Sequence, residues 1–161
     1  MVNVFLTGEI QVGKSTIINK FIKANSHLKI GGFKTISYYD NKVYIMGVND
    51  SVFKIDNCVG DKSTRQGFFN KFDTLGVELL SDFTKYDLII MDEIGFMESK
   101  ALKFRQAIMD VLKSEVDVLG VVKPINKGLP LEVKKDSKIL TVDLKNHNEV
   151  YDELIAIFKK Y

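Results

Sequence analysis

The segment Val2–Thr16 reads V-N-V-F-L-T-G-E-I-Q-V-G-K-S-T. Val2, Val4, Phe5 and Leu6 make a short apolar run that predicts a buried strand. Gly8-x4-Gly13-Lys14-Ser15 then matches the phosphate-binding loop pattern without a mismatch. Ile17, Ile18, Phe21 and Ile22 follow at helical spacing. The alternative is a glycine turn before a helix with a surface lysine. From average residue usage, an accidental match in a chain of this length has odds of roughly one in a couple of hundred. Lying between a strand and a helix lowers them further.

The spacing has a direct chemical reason. Gly8 and Gly13 lack a Cβ, so the backbone can take positive φ and wrap closely around a phosphate. The amides of Glu9, Ile10, Gln11, Val12, Gly13, Lys14 and Ser15 are expected to point inward at a helix start, where unpaired N–H groups and the helix dipole favour anions. Lys14 is expected to reach the β- and γ-phosphate oxygens, the Ser15 hydroxyl to ligate Mg²⁺, and Thr16 to stand on the α-phosphate side. ATP or another nucleoside triphosphate is the ligand this loop implies.

A chain of 161 residues points to one domain over 1–161, large enough to bury about two-thirds of its unfolded surface. A net charge of +2 is too small to argue for nucleic acid or membrane binding; Lys134-Lys135 and Lys159-Lys160 read as solvated faces. One cysteine, Cys58, excludes an internal disulfide and a cysteine-based zinc cage. No apolar run approaches the ~20 residues of a membrane span, and the N-terminus reads as a strand rather than a signal peptide. The expectation is a soluble, reduced, cytoplasmic domain, with a monomer favoured and no segment that fixes the oligomeric state.

Along the chain, a first helix is expected from Lys14 to about Asn25, with the lone His27 a surface residue. Phe33–Tyr39 and Val43–Val48 flank the turn signal Asp40-Asn41 and predict an antiparallel hairpin insert. Val52-Phe53-Lys54-Ile55 follows a second turn, and 56–65 reads as a polar surface loop. Phe68, Phe69, Phe72, Leu75, Leu79, Leu80 and Phe83 recur near helical spacing, with a break expected at Gly76. A later helix capped by Ser99 would turn Leu102, Phe104, Ile108, Met109 and Leu112 inward. Val116–Val122 predicts another buried strand, stopped by Lys123-Pro124. Residues 126–137 read as a loop, Lys138–Val142 as a strand and Asn148–Lys160 as the last helix. Arg105 reads as an exposed charge. Lys123 reads as the edge of a surface loop, with reach to a γ-phosphate as the alternative.

Tyr86–Met91 ends in Asp92-Glu93-Ile94-Gly95. An acid at the C-terminal end of a buried parallel strand lies at the ligand crevice of an open α/β sheet. With the phosphate loop upstream, Asp92 is expected to hold the Mg²⁺ complex and Glu93 to orient and deprotonate a water; without that loop they would read as two exposed acids. The same residues fit D-x-x-G of small GTPases. The segment that would read guanine is Asn126-Lys127-Gly128-Leu129, with leucine where a carboxylate is needed, so strong guanine specificity is not expected. The interval between Ser15 and Asp92 is long enough to hold a strand intervening between the two motif strands.

G-E-x-x-V-G-K-S-T, G-G-F-K-T at 31–35 and M-D-E-I-G-F-M-E at 91–98 together resemble the cancer-related nucleoside-triphosphatase family, the small P-loop NTPases also known from thermophiles. The resemblance covers most of the chain. It implies a three-layer, RecA-like, mostly parallel α/β sheet, and slow Mg²⁺-dependent hydrolysis of several nucleoside triphosphates to diphosphate and phosphate. It also implies nucleotide contact by the stretch containing Asp92, Glu93, Ile94, Gly95 and Glu98. The chain departs from the family pattern at Phe96, where lysine is usual, and lacks the arginine that typically follows the 32–35 strand. The positive group that would neutralise transition-state charge is thereby left unassigned.

Three functions compete. A hydrolase would align water with Glu93 while Lys14, Mg²⁺ and loop amides take up charge. A nucleotide or nucleoside kinase would bring arginines on a lid to clamp two substrates, and this chain has only Arg65 and Arg105. A non-catalytic switch would use bound nucleotide to order a partner-binding loop.

Overall fold

Alternation along the buried strands builds the layers. In β1 (Asn3–Thr7) and β6 (Leu88–Ile94), Val4, Leu6, Leu88 and Ile90 join one apolar cluster, while Phe5, Ile89 and Met91 join another. Successive strand side chains point to opposite faces, so a sheet that is apolar on both must be covered twice. The computed structural model describes residues 1–161 except Tyr39, Phe53 and Lys160.

The remaining strands are β2 (Ile30–Ser37), β3 (Lys42–Gly47), β4 (Cys58–Asp61), β5 (Gln66–Gly67), β7 (Asp117–Val122) and β8 (Lys138–Thr141). They form one eight-stranded sheet in the order β5-β4-β3-β2-β6-β7-β1-β8. β2, β6, β7, β1 and β8 are parallel to their neighbours among themselves, and β3, β4 and β5 extend the edge antiparallel. One face is covered by α1 (Lys14–Ala24) and α6 (His147–Ile157), through Ile17, Ile18, Phe21, Val150 and Leu154. The other carries the helical segment α2 (Phe69–Lys71) and α3 (Val77–Leu79), then α4 (Leu102–Leu112) and α5 (Gly128–Lys135). There Phe104 lies 5.2 Å from the Phe33 ring and 5.4 Å from Phe72, centroid to centroid. The expected three-layer, mostly parallel α/β sheet with a β-hairpin insert is the observed fold.

Several local expectations change. Residues 56–65 are not a plain loop: β4 pairs with β3 and β5 with β4, so the β2–β3 hairpin is extended by two further antiparallel strands. The helix containing Gly76 does not break there; a π turn, Phe72–Gly76, joins α2 to α3, and the missing Cβ lets the Phe104 ring pack against it. Ser99 does not cap α4. It lies in a 3₁₀ turn, Met97–Lys100, its hydroxyl donating to the Phe96 carbonyl, and Leu102 is exposed rather than inward. Residues 128–135 are helical, with Pro130 in the first turn, where no N–H is needed. The strand between the two motif strands exists, but it is β7, which follows β6 in the chain; the 15–92 interval adds its strands to β6's other side. Four expectations run onto residues outside the described ones: the strand through Tyr39, the short run containing Phe53, the helix end at Lys160 and the solvated face at Lys159-Lys160.

Candidate active site

The phosphate loop joins the C-terminal end of β1 to α1. Gly8 and Gly13 take φ of 141° and 92°, as a loop curling back on itself requires, and Gln11 also has positive φ at 62°. Lys14 is 8% exposed, and its Nζ donates to the carbonyls of Gly8 (3.0 Å) and Glu9. The ammonium thus spans the loop it belongs to, where a phosphate group would displace carbonyls as its partner. His147 at the start of α6 backs the loop, a ring nitrogen bonding the Val12 carbonyl.

Asp92 and Glu93 come from the end of β6, across β7 from the loop. They share with Ser15, Thr35 and Glu98 a cavity of about 130 Å³. The wider cleft, about 530 Å³, is lined by Ile10, Gln11 and Gly13–Thr16 on one side and by Glu93, Phe96, Met97 and Lys123 on the other. Burial pushes the Asp92 carboxyl up to about 6 from 3.8; the Ser15 hydroxyl, Lys14 and Lys34 oppose that rise and Glu93 adds to it. Thr35 Oγ1 accepts the Glu93 backbone N–H at 3.2 Å, fixing the strand end that presents the carboxylate.

The Ser15 hydroxyl and Asp92 carboxylate are hard oxygen donors brought together from separate elements. That set fits Mg²⁺, which binds through one or two protein ligands while keeping waters and phosphate oxygens. Among the described residues there is no group of three or more His, Cys, Asp or Glu that could hold a metal ion.

A family model described as NTPase matches residues 3–155. The chain belongs to this NTPase family. It is 28% identical to the nucleoside-triphosphatase THEP1 of Methanocaldococcus jannaschii, over 94% of each protein. It is 29% identical to the cancer-related nucleoside-triphosphatase homolog of Mus musculus, over 96% of this chain and 95% of that one. The crystal structure of THEP1 from the hyperthermophile Aquifex aeolicus superposes with a TM-score of 0.78 at 19% identity, covering 97% of this chain and 98% of that one. That likeness establishes a shared fold.

Within this NTPase scaffold the sequence-derived residues divide. Ile10, Gln11, Gly13, Lys14, Ser15, Thr16, Asp92, Glu93, Gly95 and Glu98 line one cavity or the other. Val12 and Ile94 turn their side chains into the core, and Gly8 packs against the Val142 carbonyl, which leaves these three only backbone groups to offer. Glu98 is 4% exposed and accepts the Gly95 N–H at 3.1 Å, tying down the turn after β6. Leu129, at the position where a guanine-reading carboxylate would stand, is fully buried in the α5 core. Sequence reasoning passed over Lys62 and Arg65 as cleft residues, because neither carries a motif; Thr35 and Met97, inside the 31–35 and 91–98 motifs, line the cavities as well. Lys123, read first as a loop edge, lines both cavities. Its Nζ lies 3.4 Å from Glu93 Oε1.

Proposed function

We propose that this chain hydrolyses nucleoside triphosphates, ATP and GTP among them, to diphosphate and phosphate, with Mg²⁺ and little base discrimination. We assign the activity to a single domain over 1–161, working as a cytoplasmic monomer. The observation that carries the reading is the convergence of Ser15, Asp92 and Glu93 on one cavity beside the phosphate loop. Lys14 and the loop amides bind the β- and γ-phosphates, and Ser15 and Asp92 hold the metal. Glu93, whose side chain is 31% exposed, accepts a proton from water. The water oxygen bonds to the γ-phosphorus as the bond to the β,γ-bridging oxygen breaks, and the diphosphate leaves with the electron pair. Mg²⁺ held by Ser15 and Asp92 would supply positive charge to the phosphate groups.

A kinase would need cations to clamp a second substrate. Arg105 is spent on Glu132 at 2.8 Å, away from the cleft, which leaves Arg65 as the arginine that lines it. Low base discrimination is supported by the buried Leu129. The test is phosphate release from each common triphosphate with and without Mg²⁺, with and without nucleoside and monophosphate acceptors. Glu93→Gln should retain nucleotide binding and lose about 10²–10⁴ in rate, the usual contribution of a general base. Unchanged turnover in that variant removes Glu93 from the mechanism.

A further inference from the structure

Strand order sets a third residue in the crevice. β7 lies between β1, which leads into the phosphate loop, and β6, which ends in Asp92-Glu93. The first residue beyond β7 is Lys123, so its side chain starts midway between cradle and acids. Its stem crosses Gly95, where an added Cβ would lie 3.1 Å from Cδ and 3.3 Å from Cε. Its Nζ sits 5.3 Å from the Phe96 ring centroid and 3.4 Å from Glu93 Oε1. Of the other cations nearby, Lys14 Nζ bonds the loop carbonyls and Lys34 Nζ the carbonyls of Val48 and Asp50, while Lys62 and Arg65 reach the cleft from the turn between β4 and β5.

Resting on the hydrolase reading above, we propose that Lys123 joins Lys14 as a second cation on the γ-phosphate, exchanging its ion pair with Glu93 for the phosphoryl oxygens when a triphosphate binds. The exchange is cheap, because both side chains keep contact with water, 28% and 31% exposed, and an ion pair open to solvent contributes little. The exchange also places positive charge where the transferring group needs it. A diphosphate offers no γ-oxygens, so after phosphate leaves, Lys123 returns to Glu93. Lys123 thereby distinguishes substrate from product.

The test compares binding of the β,γ-imido analogues of ATP and GTP with binding of ADP and GDP, in Mg²⁺, for the wild type, Lys123→Met and Lys123→Arg. A charge-assisted contact to phosphate corresponds to about tenfold or more in affinity. Lys123→Met should therefore weaken triphosphate-analogue binding by about that factor and leave diphosphate binding within about twofold, with Lys123→Arg restoring most of the loss. An unchanged triphosphate-to-diphosphate ratio in Lys123→Met, or an equal loss of both, overturns the assignment. Should Lys123→Met not fold, Lys123→Gln serves with the same criterion. Failure here is separable from failure of the hydrolase reading. Wild-type hydrolysis abolished by Glu93→Gln, with the ratio unmoved, removes Lys123 alone; a shifted ratio without any wild-type phosphate release removes the hydrolase.

Discussion

Glu93 Oε1 and Lys123 Nζ lie 3.4 Å apart, carried by adjacent parallel strands, with their side chains 31% and 28% exposed. Exposed pairs contribute about 0–1 kcal/mol, so this one has little to do with folding. Glu93→Gln and Lys123→Met should each change unfolding free energy by less than about 1 kcal/mol, read from the urea midpoint at constant m. A loss several times larger would make the pair a structural strut.

Lys14 offers the opposite case, a buried cation with no carboxylate within ion-pairing distance among the described residues. Its Nζ is bonded to the Gly8 and Glu9 carbonyls, which hold it in the loop. Lys14→Ala removes the charge from the cradle. It is expected to weaken binding of triphosphate and diphosphate alike, by about tenfold or more each, since a charge-assisted contact contributes roughly 1.5–3 kcal/mol. Titration with non-hydrolysable analogues and with diphosphates checks this. A selective loss of triphosphate binding would transfer to Lys14 the role assigned to Lys123.

The fold and the two chemical motifs were legible because each carries a strong local signal. In Val2–Thr16 the strand period, the glycine spacing and the helical period succeed one another without overlap. β4 and β5 were not legible. Asp61 ends β4 and Lys62, Ser63 and Thr64 form the turn into β5, so strands of four and two residues flanking a polar turn look like a loop in sequence. α5 was hidden by Gly128 and Pro130, which read as punctuation although proline is tolerated in a first helical turn. Lys123 was underweighted for a different reason. A lone lysine after a strand is common, and only the order β6-β7-β1 gives this one a central position. Strand order is set by long-range packing, which no window of sequence contains.

At the end of the sheet remote from the cleft, Asp117 anchors both chain termini. Its Oδ1 accepts the Val2 N–H at 2.8 Å, and its Oδ2 accepts the Tyr161 hydroxyl at 3.0 Å, while the residue is 1% exposed. Removing one partner of a buried hydrogen-bonded carboxylate leaves the others unsatisfied. Asp117→Ala is expected to cost about 2–3 kcal/mol and Tyr161→Phe about 1 kcal/mol, with hydrolysis per folded molecule unchanged. Thermal unfolding followed beside phosphate release measures both. A catalytic loss exceeding the loss of folded protein would contradict a purely structural role.

The Phe104 ring closes the core on the face opposite α1, touching Phe33 and Phe72 and filling the space above Gly76. A fully buried phenylalanine cut to alanine costs about 3–5 kcal/mol, and Phe104→Ala should lose that much. Phe104→Leu keeps more of the volume and should lose less than half of it. Denaturant melts of the two variants give the ratio; equal losses would mean that ring stacking, not filled volume, dominates at this position.

Glu98 makes stability depend on pH in an unusual direction. Burial pushes its carboxyl up to about 7 from 4.5, although the Gly95 N–H and the Lys123 charge favour ionisation. Between those values the folded chain holds a proton that the unfolded chain has released. Stability therefore falls as pH rises through that window, and is flat in this respect below about 4.5 and above about 7. A shift of that size corresponds to about 3 kcal/mol. In Glu98→Gln the amide oxygen still accepts the Gly95 N–H and nothing titrates. The variant should match the wild type near pH 4.5 and exceed it by up to about 3 kcal/mol near pH 8. Urea unfolding of both proteins across pH 4.5–8 reads the difference directly. A gap that narrows as pH rises would show that the buried carboxylate is stabilised as an anion, held by Gly95 and Lys123 more strongly than burial opposes it.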